Sequence, residues 1–479
     1  MTKEKKSSPP ARDLDEPVDA LWSGRLSGGV HPAVQRFTRS IQFDKRLARW
    51  DIQGTAAHVR MLARQNIISD QDAETILGGL TQVRAEIERG IFPFRDELED
   101  IHMNIEHRLI EVIGEVGAKV HAGRSRNDQV ALDVALYCLD VSKRWRISFV
   151  EVIAQLVVRA EELKLELFPG WTHMQSAQPV SWGHYLLSFA EMFGRDYRRL
   201  ELFEEMNSTS PLGAGALGGS SLDLDPESTA AELGFRDSFA NSYDVVGNRD
   251  TVLELMQIAT QLMIHLSRLA EDFVYLSSTP VGWLELPDSL CTGSSMMPQK
   301  KNPDLLELMR GRTASVIGHG NAVSVLLKGL PTSYHRDLQQ DKEHLFAVVD
   351  IVSDALEVLI PLLEGFSVNQ ERVAENIEGG YLMATDLAEH LVEKGVPFRE
   401  AHRQVGRLVG YCVDNSISLS EVSLEKLREF LPDSEIEPAQ FLVPRKALER
   451  RKHKGSTGFS SIESQLGTWR RWLGTKSGS

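Results

Sequence analysis

Apolar residues recur at helical spacing through several long stretches of this chain. The longest stretch spans residues 128–168 without glycine or proline, and its apolar positions three, four or seven residues apart are Val130, Val134, Tyr137, Val141, Trp145, Val152 and Leu156. At about 1.5 Å per residue, this pattern predicts one helix roughly 60 Å long. Residues 248–279 form a second such stretch, and HLFAVVDIVSDALEVL (344–359) forms a third, which ends before Pro361.

Helices of this length cannot each bury an apolar stripe inside a compact monomer. They must pack lengthwise against each other and against copies in other subunits. The sequence therefore predicts an all-α fold, with a central bundle of long helices over residues 126–375 flanked by two smaller helical domains at 21–125 and 376–479. Residues 1–20 contain much proline, serine and charge, and are predicted to be a disordered tail.

Composition argues against several functional classes. The 479 residues are 42% hydrophobic and 25% charged, as in ordinary globular proteins, and the net charge of -15 argues against nucleic acid as a partner. Cys138, Cys291 and Cys412 lie far apart without a CxxC motif, so we expect no disulfide framework, no zinc site and a reducing, cytoplasmic compartment. No run of 18 apolar residues occurs, so we expect no membrane span.

Candidate chemistry lies in the polar segments between the helices. TGSSMMPQKKNPD (292–304) places two serines before Lys300 and Lys301, and its end predicts a helix start with Asn302 as N-cap and Pro303 as the first helical residue. A helix N-terminus beside two lysines favours an anion, and a serine in such surroundings can act as a base. A mobile loop with solvated side chains would explain the same residue types.

Three further segments are also rich in polar side chains. THMQSAQPVSWGH (172–184) follows a Pro-Gly pair, so His173, the usual type of proton shuttle, is expected in a loop at a helix junction. HAGRSRNDQV (121–130) puts Arg124 and Arg126 beside a helix start, where they can bind a carboxylate or where their neighbours simply cap the helix. TSYHRDLQQDKE (332–343), taken alone, reads as a solvated face.

Together these segments resemble the fumarase/aspartase superfamily, whose members eliminate fumarate from succinyl compounds, and within it the argininosuccinate lyase family. The motifs that carry the resemblance stand in that family's order: LWSGR, AGRSRNDQV, the THMQ loop, PLGAGAL, GSSMMPQKKNPD and DLQQDKE. The resemblance covers nearly the whole chain from Leu21 and is most specific between residues 121 and 342. QKKNP stands where fumarases and aspartases tend to have GKVNP, which favours the argininosuccinate enzymes.

The resemblance implies a role for each matching residue. Ser294 matches the catalytic base, which takes a proton from the carbon beside a substrate carboxylate, and Lys300 matches the lysine that holds the resulting aci-carboxylate. His173 matches the general acid or its relay, and Glu307 matches its carboxylate partner. The positions that match substrate-binding residues are Ser40, Asn127, Thr172, Lys300, Asn302, Tyr334, Gln339 and Lys342.

The same resemblance implies the reaction and the assembly. The substrate would be the small molecule argininosuccinate, cleaved to L-arginine and fumarate by β-elimination in the last step of arginine biosynthesis. The chain would form a homotetramer whose active sites are each shared by three subunits, with no metal and no organic cofactor. Positions that depart from the family pattern affect fine substrate contacts, and they are Gly219, Ser220, Gly247, Asn248, His335 and Gln340.

Two alternatives stay open. The first is another lyase of the superfamily, acting on adenylosuccinate or aspartate, although no phosphate-binding motif that would suit a purine nucleotide is found among the loops. The second is a structural protein, because the family has been recruited as a lens crystallin. Ser294, His173 and Lys300 speak against an inactive copy, although a recruited copy can keep all three.

Overall fold

The computed structural model describes residues 30–379, 381–432 and 434–476. The predicted disordered tail, the LWSGR motif and the beginning of the predicted N-terminal domain lie outside these ranges. The α-helices, in chain order, are α1 Pro32–Thr38, α2 Ile41–Asp44, α3 Ala48–Arg64, α4 Asp70–Glu88, α5 Ile101–Ile113, α6 Arg126–Glu162, α7 Trp182–Met206, α8 Pro226–Leu233, α9 Ser242–Val245, α10 Asp250–Ser277, α11 Asp304–Leu327, α12 Asp341–Gly365, α13 Gln370–Gly379, α14 Ala384–Glu393, α15 Phe398–Asn415, α16 Leu424–Phe430, α17 Pro438–Phe441, α18 Pro444–Arg450 and α19 Phe459–Lys476.

The strands are few and short. They are β1 Leu167–Thr172, β2 Gln175–Ser181, β3 Thr209–Ser210, β4 Asp237–Ser238, β5 Leu284–Glu285, β6 Thr292–Gly293, β7 Lys301–Asn302 and β8 Ser367–Val368. They form two-stranded pairs, β1 with β2, β3 with β4, β5 with β8 and β6 with β7, of which β3–β4 is parallel. The predicted all-α fold built on long helices is confirmed. No helix in the described ranges has the length and apolar character needed to cross a membrane.

The long helices differ from the sequence prediction at their ends. α6 begins at Arg126, where Ser125 Oγ accepts a hydrogen bond from Asn127 N at 3.2 Å, and its 37 residues end at Glu162 because the chain then enters β1. α12 was expected to end before Pro361, but it continues to Gly365. Proline removes one helical hydrogen bond, and the fully buried leucines on both sides of it, Leu359, Leu362 and Leu363, keep the helix intact.

The chain divides into two compact units. The first comprises the described residues up to Ser142, together with Leu202–Met256 and His319–Ala347; the second comprises Lys143–Glu201, Gln257–Gly318 and the described residues from Val348. Each unit has its own buried core, which includes Leu47, Val59 and Leu109 in the first unit and Phe149, Phe193 and Phe273 in the second. The division into three domains predicted from the sequence stays a prediction.

Residues 383–447 of the second unit contain a local hydrophobic core of their own. The members that are fully buried include Leu391, Leu408, Cys412, Leu427, Leu431 and Ala447. The carboxylate of Asp386 is buried beside this core and accepts hydrogen bonds from Arg450 at 2.9 Å and Arg451 at 3.0 Å. Two guanidinium partners satisfy a charge that would otherwise destabilise the fold.

Close packing of α7 against α19 gives a stability prediction. A Cβ atom at Gly194 would lie 2.4 Å from the ring of Trp469, whose indole N–H donates to Glu191. Because the ring must move, we expect Gly194→Ala to lower the free energy of unfolding by about 1–3 kcal/mol. Gly410→Ala in α15 is the matched control, since beyond its own turn of helix and its chain neighbours the added Cβ would meet no described atom within 4 Å, and helix propensity favours alanine. Urea unfolding would contradict this packing if both variants had the same midpoint.

Candidate active site

Residues 292–304 form a hairpin that leads into α11. β6 pairs with β7 so that Thr292 faces Asn302, and Thr292 Oγ1 donates a hydrogen bond to the carboxylate of Asp304. α11 begins at Asp304, and the carbonyl of Pro303 accepts the first N–H groups of the helix. The prediction of Asn302 as N-cap is therefore wrong by one position, because strand pairing with Thr292 holds Asn302 outside the helix.

Ser294 lies at the start of the hairpin loop and is half-buried. Its Oγ accepts hydrogen bonds from the backbone N–H groups of Met297 at 3.0 Å and Met296 at 3.3 Å. Two donors directed at one hydroxyl oxygen stabilise negative charge on it. This arrangement suits a serine that loses its proton.

The two lysines of the hairpin have different surroundings. Lys301 Nζ lies 2.7 Å from Asp288 and donates to the carbonyl of Leu286, and the hydrogen bond with Asp288 raises the pKa of Lys301. Lys300 is exposed, and its ammonium forms no ion pair within the described residues. Lys301 thus has a carboxylate partner in its own chain, whereas Lys300 has none among the described residues, and the expectation that both lysines supply charge to a ligand stays a prediction.

His173 lies at the tip of the β1–β2 hairpin. Thr172 pairs with Gln175, and the two residues between them, His173 and Met174, have φ values of 55° and 58°, as in a type I′ turn. Gly170 lets the strands approach, since a Cβ there would lie 2.4 Å from a side-chain atom of β2. His173 thus lies in a turn between α6 and α7, as predicted, but the residues on either side of it pair as strands, which the sequence analysis did not predict, and the hairpin exposes both Thr172 and His173.

Glu307 occupies the first turn of α11 and is exposed to solvent. Its nearest charged contact is Arg310, whose Nη2 lies 3.9 Å from Oε1. Among the described residues, no hydrogen bond connects any two of Glu307, His173 and Ser294. The partnership of His173 with Glu307 stays a prediction.

Ser40 is buried between α1 and α2 in the first unit. Its Oγ donates to Asp44 Oδ2 at 2.5 Å, and its backbone N–H donates to the carbonyl of Glu99 at 2.9 Å. Burial raises the pKa of Asp44 to about 6, although the charges of His102 and Lys342 act in the opposite direction. The sequence analysis missed Asp44, and its one signal was the helical spacing of four residues from Ser40.

Asn127 lies at the start of α6 beside the PLGAGAL segment. Its side-chain amide donates to the carbonyl of Ala216 at 3.0 Å. The neighbouring carboxylate of Asp128 accepts the N–H groups of Gly215 at 2.8 Å and Gly213 at 3.1 Å. Burial raises the pKa of Asp128 to about 6 against these hydrogen bonds. Asp128 thus binds the glycine loop in addition to accepting a hydrogen bond from Ser125 N, a role that the sequence analysis did not assign to it.

The segment that contains Gln339 and Lys342 is not a solvated face. Gln339 Nε2 donates to the carbonyl of Thr38 at 3.1 Å, two residues before Ser40. Lys342 is buried, and its ammonium donates to Asp341 Oδ1 at 2.9 Å. The polar composition suggested solvent-exposed side chains, but Lys342 and Asp341 form a buried ion pair.

Tyr334 stands at the beginning of the same segment, and its pKa is raised by burial. The preceding residue, Ser333, has φ of 72°, and its carbonyl oxygen lies 2.3 Å from where a Cβ at residue 247 would be. Glycine at position 247, one of the departures from the family pattern, therefore permits the close approach of the backbone that carries Tyr334.

Arg124 and Arg126 bind groups of the protein itself. Arg124 is buried and donates to Thr55 Oγ1 at 2.8 Å, whereas Arg126 Nε lies 3.4 Å from Asp100. Asp51, His102 and Asp133 form the one set of three His or acidic side chains within the described residues that converges closely enough to enclose an ion. The charges of Arg124 and Arg126 act on both carboxyl groups, which disfavours a divalent cation there.

The predicted site residues are thus distributed over both units. In the first unit they are Ser40, Asn127, Tyr334, Gln339 and Lys342. In the second unit they are Thr172, His173, Ser294, Lys300, Asn302 and Glu307. Within the first unit, hydrogen bonds bring Gln339 to the backbone next to Ser40; within the second, strand pairing brings Asn302 to the strand that leads into Ser294.

Comparisons with known proteins identify the relatives of the chain. A family model described as Lyase matches residues 24–318, and one described as Argininosuccinate lyase C-terminal matches residues 381–449. The argininosuccinate lyase of Symbiobacterium thermophilum is 45% identical over 446 residues, covering 93% of this chain and 97% of the relative. That of Hahella chejuensis is 42% identical over 456 residues, covering 95% and 97%.

Solved structures agree on the fold. A crystal structure of EDDS lyase in complex with formate superposes with a TM-score of 0.78 at 25% identity, covering 92% of this chain and 90% of that one. The class II fumarase of Schistosoma mansoni gives a TM-score of 0.70 at 18% identity, covering 86% and 91%. From its sequence relatives over nearly its whole length, this chain belongs to the argininosuccinate lyase family, an enzyme family of the lyase class.

Proposed function

We propose that this chain cleaves argininosuccinate to L-arginine and fumarate by β-elimination, the last step of arginine biosynthesis. The observation that carries the proposal is the hydrogen bonding of Ser294, whose Oγ accepts two backbone N–H groups in a loop that also presents Lys300. The identity of 42–45% to argininosuccinate lyases over nearly the full chain supports the substrate. A fumarate-release assay with argininosuccinate, and with adenylosuccinate and aspartate as competing candidates, tests it directly.

The first step is proton abstraction by the ionised Ser294. The C–H bond beside a substrate carboxylate breaks, the proton moves to Oγ, and the electron pair becomes an aci-carboxylate with two negative charges on one group. Lys300 is exposed at the end of the same loop and supplies positive charge to that group. Stabilising charge that develops only during the reaction is the most effective use of such a cation.

The second step breaks the C–N bond. The electron pair of the aci-carboxylate forms the C=C bond of fumarate, and the bond electrons pass to the departing guanidinium nitrogen. That nitrogen needs a proton, which His173 supplies as the acid itself or as a relay, with Glu307 as its partner. Ser40, Asn127, Thr172, Asn302, Tyr334, Gln339 and Lys342 hold the substrate.

A homotetramer with shared sites completes the proposal. Ser294, His173 and Glu307 make no hydrogen bond with one another in one chain, and His173 and Glu307 are exposed, as expected of groups that meet residues of another copy. Several long helices also expose large apolar side chains, which are Ile147 on α6, Met206 on α7, Leu308 and Val325 on α11. Exposed apolar positions along helices are typical of association surfaces.

The serine base gives the sharpest test of the chemistry. Ser294→Ala removes one oxygen, so we expect near-normal affinity for argininosuccinate and a turnover reduced by ~10²–10⁴. Calorimetric binding and steady-state kinetics measure the two quantities separately. A turnover within about threefold of the parent corresponds to under ~1 kcal/mol and would exclude Ser294 as the base.

The two adjacent lysines form a matched pair of variants. Lys300→Met should lower kcat roughly a hundredfold, about 3 kcal/mol, because its charge stabilises the aci-carboxylate. Lys301→Met should change kcat far less, since its ammonium is bound to Asp288. If Lys300→Met raised KM and left kcat unchanged, the lysine would be an ordinary ground-state contact.

Mixing inactive variants tests the shared site. Ser294→Ala and His173→Asn proteins should each be nearly inactive as homotetramers. Refolded together, they should regain part of the activity, because some sites in a hybrid tetramer receive both loops from unaltered chains. Each variant refolded alone is the control, and the absence of recovery in hybrids that light scattering shows to be tetramers would mean that one chain supplies both residues.

A further inference from the structure

Three buried side chains from three helices meet inside the first unit. Asp51 of α3, His102 of α5 and Asp133 of α6 are 1%, 2% and 0% exposed. His102 Nδ1 lies 3.2 Å from Asp51 Oδ1 and 3.3 Å from Asp133 Oδ2. Gln129 also donates to Asp51 Oδ1. Neither oxygen of Asp133 has a hydrogen-bond partner within the described residues, and Asp51 Oδ2 also has none.

Ligand atoms of Asp51, His102 and Asp133 lie within 4.8 Å of one another and are shielded from solvent, which disfavours ionisation of both carboxyl groups. Burial, together with the neighbouring charge of Asp51, raises the pKa of Asp133 well above its ordinary value. Burial alone would also raise the pKa of Asp51, but the hydrogen bond and charge of His102, with Arg124 and Arg126, bring it down to about 2. One negative charge, located on Asp51, is therefore the favoured state of the acidic pair.

The same histidine acts on the carboxylate that binds Ser40. Asp44 accepts the hydroxyl of Ser40 and, at 3.1 Å, the N–H of Ile101, which is next to His102 in sequence. The charged groups that act on Asp44 are His102 and Asp100 at the start of α5 and Lys342 of α12. The charge of His102 is the strongest of these influences and favours the ionised form of Asp44.

We propose that Asp133 keeps a proton at neutral pH, so that the acidic pair carries a single negative charge that orients His102, and that this holds the adjacent N–H of Ile101 where Asp44 accepts it while binding the Ser40 hydroxyl. Asp51, Asp133 and His102 are thus positioning residues for Ser40. The contribution of Ser40 to catalysis rests on the proposed function, whereas the proton on Asp133 does not.

Urea unfolding of the full chain at pH 5, 6 and 7 tests the proton without any substrate. Asp133 takes up a proton on folding, so its contribution to stability is present below pH ~4 and is lost as the pH rises towards its folded pKa. Asp133→Asn lacks this uptake, so the ratio of its folding constant to that of the parent should rise roughly tenfold per pH unit.

Glu86→Gln is the matched control. Glu86 is buried in the same unit, and the hydrogen bond from Arg108 lowers its pKa to about 2, so its contribution is complete above pH ~4 and lost only in more acidic solution. Its stability should therefore run parallel to that of the parent between pH 5 and 7. A parallel curve for Asp133→Asn would show an ionised Asp133 and overturn the proposal.

Infrared spectroscopy covers the case in which Asp133→Asn unfolds too readily. The parent at pH 7 should show the C=O band of a protonated carboxyl, which shifts in the spectrum of Asp133→Glu and is absent from that of Asp133→Asn. Elemental analysis completes this test, since a divalent cation that copurifies with the parent and is absent from Asp133→Asn would replace the proton and overturn the proposal.

The pH profile of kcat/KM tests the connection to Ser40. Asp44 is ionised above pH ~6, so kcat/KM should fall as the pH falls through about 6. The profile of Asp44→Asn should lack this decrease. Asp51→Asn should lower the plateau of kcat/KM, because it weakens the contact that holds His102 and thereby displaces the adjacent N–H of Ile101 that Asp44 accepts. A plateau equal to that of the parent would break the connection. If the parent released no fumarate from argininosuccinate, the proposed function would be wrong. The unfolding curves would still show whether Asp133 is protonated in the folded protein.

Discussion

Buried charge is the constraint on which the first unit depends. Asp341 is fully buried and binds Arg249 Nε at 2.6 Å and Lys342 Nζ at 2.9 Å. Loss of one partner from such a group typically costs 3–5 kcal/mol, so the three side chains must stay together. Arg249 directly precedes α10 and Lys342 belongs to the first turn of α12. The ion pairs therefore fix the beginnings of two long helices and, with them, the segment that carries Gln339 to the backbone beside Ser40.

Buried carboxylates also organise the irregular backbone around the predicted substrate contacts. Asp44 binds Ser40 and the start of α5, and Asp128 binds the glycine loop beside Asn127. Burial raises the pKa of each to about 6. A raised pKa means that these groups favour the folded state less as the pH rises from about 4 towards 6. The hydrogen bonds offset part of the free-energy cost of burying these carboxylates, because one ionised carboxylate can accept from several N–H and O–H donors of a loop.

The sequence predicts helices well where glycine and proline are absent, and less well where they occur. α6 and α10 follow the apolar spacing to within a few residues, except where β1 begins. Pro169 and Gly170 suggested a loop around His173, yet the residues on either side of the turn pair as the strands of a hairpin. Pro361 suggested a helix end, yet buried leucines on both sides retain it. In both places, contacts with other parts of the chain determine the local structure, and these contacts cannot be read from a single sequence.

The family resemblance supplies the candidate site residues, but it does not supply the partners of each side chain. The motif around Ser294 contains the serine and both lysines, and only the structure distinguishes the exposed Lys300 from Lys301, which pairs with Asp288. Asp44 and Asp341 were not identified, and Asp128 was considered only as part of a helix cap, because a sequence does not show which acidic residues are buried. What distinguishes them is burial, and burial depends on which helices meet.

The proposal of a shared site is consistent with the length of the helices. An α-helix of 37 residues is about 55 Å long, which is more than a small ligand can span. In the proposed homotetramer, loops from different copies would form each site, provided that the helices pack lengthwise with their exposed apolar positions covered. In this arrangement, association would bury the exposed leucine and valine side chains of α11 and bring the exposed His173 to its partners. Assembly and catalysis would thus depend on the same helices.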